Sequence, residues 1–123
     1  MARVLLDQPQ SVRVLHGDIH HENVRHSARG WIAIDPKGLW GERTYDAANT
    51  VCNPVSVPGV VHDEDRLFRV AGALANCLKI DRDRLLRFVF VHAALWAAWS
   101  LEDRQDPTHA LKVVTILDSH LSL

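Results

Sequence analysis

Apolar positions change period along this chain. Residues 11–15 alternate around Val12 and Val14, which predicts a short strand. Residues 23–26 and 31–34 read as the arms of a hairpin turning through Ser27-Ala28-Arg29-Gly30, with Gly30 suited to the turn. Beyond Asp63 the period becomes that of a helix. Leu67, Val70, Ala71, Leu74 and Leu78 share one face of a helix that Asp63 or Asp65 can cap and that runs to about Lys79. Asp81 can cap the next, about residues 82–103, which is apolar nearly all round and so predicts the central buried helix. Asp106-Pro107 opens a last helix with the stripe Leu111, Val114, Leu117 and Leu121.

The shorter segments fit between these. Residues 2–7 read as the last turn of a helix begun earlier, broken by Gln8-Pro9-Gln10. Residues 36–43 read as a loop with Gly38 and Gly41. Residues 45–52 form a short helix ended by Asn53-Pro54, and 55–61 a loop with the turn signal Pro58-Gly59. The expected fold class is α+β, mostly α, with a small β-hairpin and a helical bundle. We expect one domain over 1–123, with 1–8 the end of a truncated helix, 11–54 the candidate chemistry and 62–123 a helical part.

Composition narrows the function classes. A chain of 123 residues can bury a real core, and 47% hydrophobic with 24% charged residues is ordinary for a soluble protein. A net charge of −1 argues against a nucleic-acid partner. The most apolar run, residues 88–101, contains His92 and Ser100 and is shorter than the roughly 20 residues a membrane span needs, so no membrane role is expected. No targeting peptide is visible at the start. Cys52 and Cys77 stand outside any metal-spaced motif and read as two buried thiols in a reducing cytoplasm.

Chemistry concentrates in His16-Gly17-Asp18-Ile19-His20-His21-Glu22-Asn23, followed by Asp35 at the end of Trp31-Ile32-Ala33-Ile34. Asp18, Asn23 and Asp35 have the residue types and order of a kinase catalytic-loop aspartate, its asparagine and the following metal-binding aspartate. Phosphoryl transfer needs a base or orienter for the attacking hydroxyl and oxygen ligands that hold Mg²⁺ on the phosphates of ATP. Alone, Asp18 would read as a turn aspartate after glycine, Asn23 as a turn residue and Asp35 as a strand-end cap. Together, Asp18 is the candidate base, with Asn23 and Asp35 the candidate Mg²⁺ ligands. The hairpin would bring those two ligands to one end. His16 reads as a residue packed and hydrogen-bonded beneath the loop. Asp46 reads as a first-turn helix residue. Lys37 either reaches a phosphate or the substrate rim, or is a solvated loop lysine, and Glu42-Arg43 reads as a local ion pair.

His16 to Asn23, Ile34-Asp35-Pro36-Lys37-Gly38-Leu39, Gly41 to Ala48, Cys52-Asn53-Pro54 and the helix His92 to Asp103 together resemble the aminoglycoside phosphotransferases. The similarity is to their streptomycin-kinase and hydroxyurea-resistance branch, and it runs over about residues 11–104. The resemblance implies the C-terminal lobe of a protein-kinase-like fold. It also implies ATP-dependent transfer of phosphate to an alcohol group of a streptomycin-type, hydroxylated amine, giving antibiotic resistance. Asp46 would then hydrogen-bond the catalytic-loop backbone, and His20, matching H-G-D-x-H, would brace the loop. Gly17 stands where protein kinases carry the arginine of H-R-D, and the short interval from Asp35 to Asp46 leaves no room for an activation loop. A small-molecule acceptor and no phosphorylation switch are therefore expected. A polycation would need carboxylates, for which Asp63, Glu64, Asp65, Glu102 and Asp103 are candidates by charge only.

Only 15 residues precede His16, and none forms a Gly-rich phosphate loop. The expectation is a lobe without its nucleotide-binding partner lobe, inactive alone, with exposed apolar surface that invites self-association. Two further readings stand beside it: a non-catalytic remnant or interaction module, and a His-rich metal-dependent hydrolase built on His16, His20, His21 and His26. Gly17 and the β-like flanks disfavour the hydrolase, as does the lack of H-E-x-x-H.

Overall fold

In the computed structural model, which describes residues 1–121, the elements gather around one helix. Helix α5 (Arg82–Glu102) buries Leu85, Leu86, Phe88, Val89, Ala93 and Ala97. It lies against α2 (Thr44–Val51), α4 (Glu64–Leu78) and α6 (Thr108–Leu121), and α1 (Ala2–Asp7) touches it as well. By length and apolarity α5 alone would pass as a membrane span, but its buried face belongs to the helical core. Its outer face is not apolar cover for anything among the described residues: Leu95, Trp99 and Leu101 are exposed, so the helix is central without being buried all round.

Asp63 and Asp81 cap α4 and α5, accepting from the N–H of Arg66 and Arg84 at 2.8 and 2.7 Å. The inward faces differ from the expected stripes in two places. On α4, Leu67 and Ala71 are buried and Ala75 joins them, whereas Leu78 is exposed beside Lys79, whose left-handed backbone (φ +54°) ends the helix. On α6 the buried set is Ala110, Val113 and Leu117, rotated from the expected one, and Leu111 faces outward. Both sides of α6 carry apolar residues, so periodicity alone does not choose. Packing against α5, with its small Ala93 and Ala97, favours the stripe that brings Ala110 inward.

Two antiparallel pairs sit beside the helices. Strand β2 (Val24–Ser27) pairs with β3 (Gly30–Ala33) as the expected hairpin, with Val24 opposite Ala33. Strand β1 (Val12–Leu15) pairs with β4 (Leu39–Glu42), Val14 facing Trp40 and Leu15 facing Leu39. Strand β4 corrects the expectation of a loop over residues 36–43: its two glycines look like breakers, and its partner lies far back in the chain. Within the expected loop at 55–61, Pro58–Val61 closes a short helix, α3, with proline at its first position.

Glu42 does not pair with Arg43. It sits buried and receives Arg84 in a two-pronged bond, Nε to Oε1 at 2.7 Å and Nη2 to Oε2 at 2.6 Å. The Thr44 hydroxyl and the Gln10 N–H also donate to it. Burial alone would raise this carboxyl, but the donors outweigh burial and hold it below the ordinary glutamate value. Arg43 instead reaches the Leu78 carbonyl. Both cysteines are free, and only Cys52 is buried; burial pushes its thiol up to about 12. Cys77 is exposed on α4, which corrects the expectation of two buried thiols.

Candidate active site

The loop between β1 and the single 3₁₀ turn His21–Asn23 is held from below by α2. Asp46, in the first turn of α2, turns its carboxylate outward to the loop: Oδ2 accepts from the His16 N–H at 2.9 Å and Oδ1 from the Gly17 N–H at 2.7 Å. Each such bond to an ionised acceptor contributes about 1.5–3 kcal/mol. One turn further on, the Thr50 hydroxyl donates to the Ile19 carbonyl at 2.9 Å.

His16 bridges the loop to the hairpin. Its Nδ1 accepts from the Asp18 N–H at 3.1 Å, which places the ring proton on Nε2, 2.6 Å from the Ile34 carbonyl. Both ring nitrogens are thus occupied with bracing. Gly17 has φ +86°, and a Cβ there would lie 2.9 Å from the Leu39 side chain, so the position excludes a side chain on conformation and space together. The His20 Nδ1 accepts from the Glu22 N–H at 3.2 Å, while its Nε2 lies 3.7 Å from Asp18 Oδ2.

The result is a presented Asp18 carboxylate, about one-third exposed and ringed by donors at long range. The amide nitrogens of Asn49 and Asn23 lie 3.4 and 3.5 Å away, and Lys37 Nζ 3.9 Å. Asn23 is buried, and its amide nitrogen donates to the Asp18 carbonyl at 3.0 Å. That commits the nitrogen and leaves the amide oxygen as the atom open to a cation. Asn23's own carbonyl accepts the Ile34 N–H at 2.8 Å, which ties Asn23 to the residue next to Asp35. Asp35 is exposed at the hairpin's end in a left-handed conformation (φ +61°) that aspartate tolerates better than most residues. A carboxamide and a carboxylate are oxygen donors of the kind that a hard ion such as Mg²⁺ takes beside phosphates and water. No group of three or more His, Cys, Asp or Glu that could hold a metal forms among the described residues, and His16 and His20 are spent on the loop.

Asp18 stands at the edge of a cavity of about 520 Å³. Glu22, Lys37 and Asn49 share its polar side; Tyr45, His92, Trp96 and Trp99 form an aromatic side. Burial raises the Tyr45 hydroxyl, helped by Asp46 and Asp18. Burial lowers the His92 imidazole, with Asp18 pulling the other way. Burial also lowers His21, together with Arg66 and His20. None of Asp63, Glu64, Asp65, Glu102 and Asp103 lines this cavity: Asp63 caps α4, and Glu64 pairs with His120 at 3.1 Å.

Asn49, Tyr45 and the α5 aromatics line the cavity beside Asp18 without standing out as candidates in the sequence. The signal for Asn49 was present on α2: Asp46, Asn49, Thr50 and Asn53 recur at helical spacing as a polar stripe along a helix that also buries Ala47, Ala48 and Val51.

A braced loop that presents a carboxylate at the edge of a cleft suits phosphate transfer, a reaction that works by positioning and charge. The family description "Aminoglycoside/hydroxyurea antibiotic resistance kinase" matches residues 1–104, and the chain belongs to that family of kinases. It is 44% identical over 107 residues to streptomycin 3''-kinase of Klebsiella pneumoniae, covering 84% of this chain and 40% of that kinase. It is 33% identical over 96 residues to streptomycin 6-kinase of Streptomyces griseus, covering 74% and 30%. A probable ketoamine kinase of Vibrio vulnificus is 44% identical over 50 residues, 41% of this chain and 17% of that protein. The chain therefore spans well under half the length of these curated relatives. No solved structure matches it significantly.

Proposed function

We propose that this chain carries the acceptor-binding and metal-binding half of an ATP-dependent streptomycin-type O-phosphotransferase acting in the cytoplasm. The observation that carries the reading is the Asp46 clamp, which fixes the His16–Asp18 backbone so that the Asp18 carboxylate stands at the cavity edge. In this reading Asp18 accepts the proton of an acceptor hydroxyl as its oxygen attacks the terminal phosphorus of ATP and the bond to the departing ADP oxygen breaks. Asn23 Oδ1 and the Asp35 carboxylate would hold Mg²⁺, which neutralises phosphate charge. Lys37, within reach of Asp18, would steady a phosphate oxygen or the acceptor rim. Asp18 and Glu22 would attract a cationic acceptor, and the faces of Trp96 and Trp99 would pack on its rings.

A loop covering the nucleotide phosphates has no counterpart in the 123 residues. We therefore expect the folded chain by itself to transfer no phosphate, and its apolar strand surface to drive self-association. The deciding assay is transfer of labelled phosphate from Mg-ATP to streptomycin by a chimera in which this chain replaces the matching segment of the Klebsiella pneumoniae streptomycin 3''-kinase. The chimera should transfer, and Asp18→Asn should lower the rate by about 10²–10⁴-fold, the range for loss of a positioned base. A folded chimera that transfers nothing, or one indifferent to Asp18→Asn, would overturn the proposal.

A further inference from the structure

His92 is a polar residue of the cavity that the reaction above leaves without a task. It is 8% exposed, on the inward side of α5, among Tyr45, Trp96 and the Asp18 side of the cleft. His16, His20, His62 and His109 each bond a protein atom through a ring nitrogen. His92 makes no hydrogen bond among the described residues, and its Nδ1 is fully buried without a partner. Two aromatic rings flank it: Tyr45 meets it edge-on at 5.6 Å and 78°, and Trp96 lies 6.2 Å away. Nδ1 is sealed and beyond a ligand's reach, so the nitrogen that a ligand in the cavity can meet is Nε2, which has no partner and is not fully buried.

The chemistry of the ring selects the ligand atom. With burial holding it in the neutral form, the imidazole offers one donor and one acceptor. The two ring nitrogens point apart, so a ligand atom meets Nε2 alone. A hydroxyl serves Nε2 in either tautomer, accepting from its N–H or donating to its lone pair. An ammonium or guanidinium, which only donates, serves one tautomer. The carboxylates of Asp18 and Glu22, on the polar side of the cleft, take the cationic groups instead.

We propose that His92 is the hydroxyl-reading residue of the acceptor cavity. It hydrogen-bonds a ring hydroxyl of the bound aminoglycoside and so sets which ring is turned toward Asp18. It acts as a specificity residue and takes no part in proton transfer. The inference rests on the acceptor reading of the cavity, and it needs neither ATP nor catalysis to be examined. A site built to bond a hydroxyl loses far more when that partner is missing than an apolar site loses with a methylene.

The experiment is titration of streptomycin into the full chain carrying ¹⁵N-labelled histidine. Affinity is read by calorimetry, and the His92 ring signals, assigned with His92→Asn, by NMR. We expect saturation to move the His92 ring nitrogens. We expect His92→Phe to weaken binding at least about tenfold, and His92→Asn, which keeps a donor and an acceptor, to retain most of it. Should His92→Phe fail to fold, the ring-nitrogen shifts in the unaltered chain decide. Streptomycin binding with unmoved His92 signals would overturn the inference and leave the acceptor reading standing. Absence of streptomycin binding to the unaltered chain would overturn both.

Discussion

Gly17 shows how one residue can be dictated by its surroundings. Its amide must reach Asp46 Oδ1 while the chain turns sharply enough to present Asp18, and φ +86° is the conformation that does both. Replacement by any L-residue meets backbone strain first and the Leu39 side chain second. We expect Gly17→Ala to destabilise the fold by about 1–3 kcal/mol, measured by urea denaturation. A change within a few tenths would show that the loop adapts. The same constraint explains why an arginine in the H-R-D manner has no place here. Asp18, Asn23 and Asp35 stood out in sequence because their chemistry and spacing are local. His92 did not, since a histidine in an apolar helix reads as core until its neighbours are known.

At the scale of elements, local signals were read well and long-range ones poorly. The hairpin β2–β3, the helix α2 and the aspartate caps of α4 and α5 all depend on residues close in sequence. Strand β4 depends on β1, and the buried face of α6 depends on α5, so neither could be read from its own segment. Glu42 is the joint between these parts, since it sits on β4 yet bonds Arg84 on α5, which also donates to the Gln8 carbonyl beside α1. Breaking this buried pair by Glu42→Gln should cost about 3 kcal/mol at pH 7. The carboxyl is held below its ordinary value of about 4.3, so its contribution is complete above that pH and fades as pH falls through the folded-state value. Urea midpoints of the two proteins should therefore converge as pH falls below that value. A gap that persists unchanged would mean that folding does not shift the Glu42 carboxyl.

Across the whole molecule, apolar surface is distributed unevenly. Val14 and Trp40 face each other across β1 and β4, yet each is 74% exposed, and Leu39 on the same pair is also open to solvent. Such a patch on a strand pair favours association. Sedimentation velocity should show a concentration-dependent species that Trp40→Ser diminishes, and a monomer at every concentration would remove the patch from consideration. The two thiols, finally, give this molecule a built-in reporter. Cys77 is open on α4, while Cys52 is sealed in the core with its proton held to about pH 12. A maleimide added near neutral pH should attach once to the native chain and twice to the unfolded one. Mass spectrometry of the adducts would then count folded molecules directly, with no engineered label, in each of the variants above.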